Sequence, residues 1–159
     1  MKSEVYALSS DSTVLDALQT FAERGISGAP VLNADGTLAG FLSDGDVLRY
    51  LSATHPSSTS IYSYAIGAGD DLEQAMSDLA NLNVMRLATH DVVTIDAGAS
   101  ISDAVAALSD ARLKKVPVVN GDDSRPVGIV SRSAINRLTI GTYLRTRGES
   151  LQAEAGRTV

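Results

Sequence analysis

The sequence contains no cysteine and no tryptophan. A disulfide scaffold, a thiolate nucleophile and any cysteine-based zinc or iron–sulfur centre are thereby excluded. Long apolar runs are missing too: nothing approaches the ~18 residues that span a bilayer. The opening Met1-Lys2-Ser3-Glu4 lacks the apolar stretch of a secretory leader, so a cytoplasmic protein, or the cytoplasmic piece of a larger chain, is expected, with no membrane insertion. Positive charge is scarce in the first half. Residues 1–80 carry 3 Lys/Arg against 11 Asp/Glu, and residues 81–159 carry 10 against 8. The net charge of −6 argues against a nucleic-acid partner, which needs a basic surface. The asymmetry itself has two readings: an acidic half that attracts a mildly basic one, with cations available for a ligand anion, or an accident of surface composition. With 44% hydrophobic and 20% charged residues in 159, the chain suits one compact domain or two small units sharing a core.

The strongest pattern is an internal repeat. Displaced by 87 positions, Val14-Leu15-Asp16-Ala17-Leu18 falls on Ile101-Ser102-Asp103-Ala104-Val105, and Ala29-Pro30-Val31-Leu32 on Val116-Pro117-Val118-Val119. One extra residue in the second loop makes the displacement 88. Gly40-Phe41-Leu42-Ser43 then matches Gly128-Ile129-Val130-Ser131, and Val47 matches Ile135. Each copy predicts a strand (5–8, 92–95), then a helix opened by a capping box, Thr13-x-x-Asp16 or Ser100-x-x-Asp103. The apolar faces are Val14, Ala17, Leu18, Phe21 and Ala22 in one helix, Ile101, Ala104, Val105 and Leu108 in the other. A hairpin follows (29–32 with 38–42; 116–119 with 127–130, the latter around a loop from Asn120 to Pro126), then a second helix (46–52, 134–140). The fold class is therefore α+β (α/β), as two β-α-β-β-α units: 1–54 and 84–141. Residues 55–83 read as an insertion. Its first part, 55–69, is a Ser-rich loop carrying Ile61, Tyr62, Tyr64 and Ile66, either a spacer or a segment whose tyrosines pack on the core or a partner. Its second part is a linker helix starting at Asp70 or Asp71, with Leu72, Ala75, Met76 and Leu79 on one face, that delivers the chain to copy two. Residues 142–159 read as a polar, frayed tail.

The segment Gly40-Phe41-Leu42-Ser43-Asp44-Gly45-Asp46 runs from a strand into a helix N-terminus, whose N–H groups and positive dipole end suit phosphate. Ser43 adds a hydroxyl donor, and Asp46 is placed to accept hydrogen bonds from two ribose hydroxyls. The same Ser43-x-x-Asp46 spacing is also a capping box that needs no ligand, and residue type alone leaves both open. Asp44-Gly45-Asp46 admits Mg²⁺, although paired carboxylates at a helix start more often complement the dipole. His55 and His90 have no companion ligands at metal spacing, and no Gly-x-Ser-x-Gly elbow exists. A phosphohydrolase built on Asp44 and Asp46 lacks a nucleophile–base pair. No catalytic residue, metal or catalytic cofactor is expected; the chain does not read as an enzyme.

The Ala-Pro-Val and Val-Pro-Val strands, the hairpins and the two Gly-x-x-Ser segments, in this order twice over, resemble a tandem pair of cystathionine-β-synthase (CBS) domains, the Bateman module. The resemblance covers about residues 4–52 and 84–140. It implies two units packed sheet to sheet about a pseudo-twofold axis, with clefts that hold adenosine-containing ligands: AMP, ADP, ATP, S-adenosylmethionine or, less often, NAD. It implies phosphate on Ser43 and ribose on Asp46, and an adenine face near Tyr6, Ala7, Ile26, Gly28 and Ala29. Lys114 and Lys115, which precede Val-Pro-Val in copy two, are implied to reach a phosphate held by the other unit; the plain reading of both is solvated lysines. The second cleft departs from the pattern. Ser131 is kept, but Ala134 replaces Asp46's counterpart, leaving this cleft empty or dependent on Arg132 for the phosphate. The expected function is a regulatory module that binds an adenosyl ligand in the first cleft. The alternative is a ligand-free dimerisation module, possibly a fragment regulating a larger transporter or enzyme. The family also implies a homodimer, through helix faces near Leu48, Leu51, Ile135 and Leu138.

Overall fold

A computed structural model describes residues 5–54, 69–110, 113–121 and 123–155. The described residues divide into two compact units, one formed by residues 5–54, 69–92 and 123–126, the other by residues 93–110, 113–121 and 127–155.

In the first unit the chain runs β1 (Leu8–Ser9), α1 (Val14–Arg24), β2 (Gly28–Leu32), β3 (Leu38–Ser43), α2 (Asp44–Thr54), α3 (Gly69–Ala80) and a 3₁₀ turn (Val84–Arg86). Thr13 takes extended geometry, and its hydroxyl accepts the Asp16 N–H. In return the Asp16 carboxylate accepts the Thr13 N–H and hydroxyl, both at 2.8 Å. These two donors hold the Asp16 carboxyl below its ordinary range. Gly25 closes α1 in the left-handed region at φ 60°, which a side chain would strain. Val14, Ala17 and Phe21 are buried and Leu18 half-buried, as the periodicity requires. Ala22 falls outside the apolar arc and is exposed.

β1 pairs parallel to β2 at Leu8↔Val31 and Ser9↔Leu32, while β2 and β3 form the antiparallel hairpin. The expected strand at 5–8 begins only at Leu8, and it stops at Ser9 because β2 ends at Leu32 and the chain turns, Ser12 N–H bonding Ser9 carbonyl. One core is Leu8, Ala17, Phe21, Ala29, Val31, Leu42, Val84 and Ala88; a second is Val14, Val47, Leu51, Ala75 and Leu79. Helix α3 is thus more than a linker: Ala75 and Leu79 complete the packing of α1 and α2. Met76, expected on the buried face, is 37% exposed. The side chain of Leu72 and the whole of 55–68, with Ile61, Tyr62, Tyr64 and Ile66, lie outside the described residues. Residues 84–92, assigned by sequence to copy two, pack in the first unit. Val84 N–H bonds Ser12 carbonyl, and Phe41 and Thr89 exchange both backbone bonds at 2.9 Å. A Cβ on Gly40 would lie 3.0 Å from the Thr89 carbonyl oxygen, so a side chain here would push against the Thr89 backbone.

The second half of the chain repeats the plan: β4 (Ile95–Asp96), α4 (Ile101–Asp110), β5 (Lys115–Asn120), β6 (Asp123–Ser131, of which 127–131 fall in the second unit) and α5 (Arg132–Ala155), with sheet order β4-β5-β6. β4 pairs parallel to β5 at Ile95↔Val118 and Asp96↔Val119, so the strand expected at 92–95 only begins at its last residue. Ser100 and Asp103 reproduce the cap at 2.7–3.1 Å, and the Ser100 hydroxyl and N–H hold the Asp103 carboxyl below its usual range. The loop expected from Asn120 to Pro126 is much shorter. Gly121, at φ 56°, reverses the chain, and β6 begins at Asp123. Pro126 is tolerated because β6 is an edge strand. The expected frayed tail is instead helix to Ala155. Good helix formers such as Leu144, Arg145, Arg147 and Glu149 outweigh Gly141 and Gly148, each of which costs about 1 kcal/mol. On α4 only Ala104 and Leu108 are buried; Ile101 and Val105 are exposed.

Candidate functional site

β3 passes into α2 without a loop, so Ser43 ends a strand and Asp44 opens a helix. The Asp44 N–H bonds the Ser27 carbonyl at 3.1 Å, and Ser43 lies opposite Gly28 in the hairpin register. A Cβ on Gly28 would sit 2.9 Å from the Leu42 carbonyl oxygen and 3.1 Å from the Ser43 Cα. Gly28 therefore lets β2 and β3 close up beneath the junction. Ala29 is fully buried and Ile26 half-buried, both against the first core. Tyr6 and Ala7 precede β1. Tyr6 is half-buried with the Arg24 guanidinium carbon 4.8 Å from its ring centre, and Ala7 is exposed.

Asp46 is the buried charged side chain among the described residues, at 8% exposure. Its Oδ2 accepts the Ser43 N–H at 2.8 Å and the Ser43 hydroxyl at 2.6 Å. Its Oδ1 accepts Arg49 Nη1 at 2.7 Å, from a side chain that is 75% exposed. The capping geometry is thus realised. For Ser43 to donate to a phosphate, its hydroxyl must rotate away from Asp46. Asp44 is exposed and its neighbour Asp46 is committed to Ser43 and Arg49. Among the described residues no group of three His, Asp or Glu side chains gathers, and His90 Nε2 lies 3.0 Å from the Met85 carbonyl oxygen. His55 lies outside the described residues. Arg49 was not singled out from the sequence. Its signal was the i, i+3 spacing from Asp46 on one helix, where side chains become neighbours.

The second unit has the same junction with different chemistry. The Arg132 N–H bonds the Lys114 carbonyl at 2.9 Å, the counterpart of Asp44 on Ser27. The Ser131 hydroxyl oxygen accepts the Ala134 N–H at 3.1 Å and lies 3.1 Å from the Ser133 hydroxyl. Ala134 carries no acceptor. The Arg132 guanidinium donates to the Leu113 carbonyl at 2.9 Å and the Leu108 carbonyl at 3.5 Å, which satisfies acceptors at the end of α4. Lys114 is exposed and Lys115 half-buried at the start of β5. The first unit therefore brings together Gly28, Ser43, Asp44 and Asp46, and the second brings together Lys114, Ser131 and Arg132.

The sequence profile of the CBS domain matches residues 1–53 and 83–140. The chain belongs to the CBS domain family. It carries two copies, a tandem CBS module. The uncharacterized protein MJ1426 of Methanocaldococcus jannaschii is 31% identical over 133 residues, covering 77% of this chain and 78% of that protein. The crystal structure of CBSX2, from Arabidopsis thaliana, in complex with AMP superposes with a TM-score of 0.68 at 23% identity, covering 89% of this chain and 92% of that one. The chain spans 60% of the full chloroplastic CBSX2 protein. The CBS domain pair of MJ0100, in complex with 5-methylthioadenosine and S-adenosylmethionine, superposes with a TM-score of 0.64 at 19% identity, covering 87% and 90%. These likenesses show the mixed α+β fold of the CBS pair. Among the described residues no helix is long and apolar enough to cross a membrane.

Proposed function

We propose that this tandem CBS module is a cytoplasmic regulatory element that binds an adenosine-containing ligand, AMP, ADP, ATP or S-adenosylmethionine, at the β3–α2 junction of its first unit, without catalysis. The observation that carries the reading is the Asp46 carboxylate. It is nearly buried at the head of a helix, with Oδ2 fixed by Ser43 and Oδ1 held by an exposed arginine. That is an acceptor suited to a vicinal diol, beside N–H groups suited to phosphate. The adenosyl ligands of CBSX2 and MJ0100 support the ligand class. Ala134 in the second copy restricts the diol to the first. Regulation then follows from differential affinity: the ligand favours whichever arrangement of the module it binds better. Calorimetric titration with AMP, ATP and S-adenosylmethionine tests this. Saturable heat from at least one, with a matching rise in melting temperature, is expected. No heat and no thermal shift at millimolar ligand overturns it in favour of a pure interaction module.

A homodimer is part of the proposal, with its contact face moved to the second unit. Leu51, expected at the contact, is buried under α3 in the first unit. In the second unit Ile101, the counterpart of fully buried Val14, is 58% exposed, alongside Val105 and Leu138. Sedimentation at micromolar concentration is expected to give the mass of a dimer for the native chain. Leu138→Asp, a change at an exposed position, should give the monomer mass with an unchanged far-UV circular dichroism spectrum and a melting temperature lowered only by the lost association. A monomeric native chain refutes the assembly.

A further inference from the structure

We propose that Arg49 is a positioning residue that latches Asp46, so that a ligand diol must displace it to bind. The inference rests on the adenosyl reading of the first unit and deepens it. The two oxygens of Asp46 are held differently. Oδ2 takes the Ser43 backbone N–H, which does not leave without unwinding the start of α2, and the Ser43 hydroxyl beside it. Oδ1 takes Arg49 Nη1 at 2.7 Å. The arginine side chain is 75% exposed while its partner is 8% exposed, so the guanidinium stays hydrated and its release leaves no buried cation behind. Arg49 is thus the exchangeable donor, and Oδ1 the atom a ribose hydroxyl takes over. Displacement returns the arginine to solvent and leaves the Asp46 charge to the ligand. The second copy carries Arg137 at the matching position but Ala134 in place of the acid, so the latch belongs to the first copy.

Three consequences separate a latch from a merely structural ion pair. Arg49→Met, which keeps the aliphatic stem, should tighten binding of adenosine on the order of two- to fivefold, the worth of an exposed ion pair. It should leave dideoxyadenosine, which lacks both ribose hydroxyls, unchanged. Adenosine is neutral, so its binding to the native chain should strengthen as salt screens the Arg49–Asp46 pair, whereas binding to Arg49→Met should not respond. In an Asp46→Asn background, Arg49→Met should have no effect. Calorimetry on the full chain with these two nucleosides, at low and at high salt, reads all three. If Asp46→Asn loses adenosine while Arg49→Met binds it no better than the native chain, the latch is overturned and the site stands. If Asp46→Asn binds adenosine as the native chain does, or the native chain does not bind it, the site assignment falls and the latch with it.

Discussion

Asp46→Ala is expected to weaken adenosyl binding by one to two orders of magnitude. A hydrogen bond to a charged acceptor contributes about 1.5–3 kcal/mol, and one such bond, from a ribose hydroxyl to Oδ1, corresponds to that loss. The substitution also removes the acceptor of the Ser43 N–H and hydroxyl, a loss comparable to that of a helix cap, about 1 kcal/mol. Two controls keep binding and folding apart. Asp46→Asn retains the shape and one acceptor oxygen for the cap but gives up the charge, so it should melt close to the native chain and still bind poorly. Ser43→Ala removes one donor to the carboxylate and one to a phosphate, so it should weaken AMP more than adenosine. The ratio of AMP to adenosine affinity across these variants shows which residue faces which part of the ligand. Equal affinities for Asp46→Ala and the native chain would remove the junction from the binding site.

The scaffold was legible in the sequence where a local rule acts twice. Thr13-x-x-Asp16 and Ser100-x-x-Asp103 announce α1 and α4, and both caps form as read. The two hairpins follow from apolar runs around turn residues. What escaped depends on partners that local patterning does not name. The periodicity of α3 says that Ala75 and Leu79 face something apolar; it does not say that they meet Val14, Val47 and Leu51. Asp123-Ser124-Arg125-Pro126 has no strand pattern, and these residues become strand because Gly121 reverses the chain and β5 supplies the ladder. Residues 142–148 are exposed, and a polar exposed run suits α-helix as readily as coil. At the candidate site, Ser43 and Asp46 stood out because they place a hydroxyl and a carboxylate where a strand runs into a helix N-terminus. The choice between cap and ligand acceptor was not available from residue types, since a carboxylate has two oxygens and the cap occupies only one of them. Arg49 was missed because i, i+3 acid–base pairs are common on any helix, and only the burial of Asp46 gives this one weight.

Leu79→Ala is expected to be among the most damaging single substitutions in the first unit, and it tests whether α3 is spacer or core. Leu79 is fully buried in the cluster with Val14, Val47, Leu51 and Ala75, with Leu18, Tyr50, Leu82 and Leu87 around it. Truncating such a leucine costs about 2–5 kcal/mol, the transfer free energy plus the cavity left behind. For a unit of this size that lowers the melting temperature by roughly 10–20 °C or more. Leu48→Ala, on α2 but 62% exposed, should change stability by no more than about 0.5 kcal/mol. If α3 merely carried the chain from one copy to the next, the two variants would melt alike. The packing also ties α3 to ligand binding. Val47, next to Asp46, sits in the same cluster as Leu79, so a cavity at Leu79 loosens the first turn of α2 and the carboxylate it positions. Saturating ligand should therefore raise the melting temperature of Leu79→Ala by at least as much as it raises that of the native chain. The apparent affinity of the variant should fall by the fraction of molecules whose α2 has come loose.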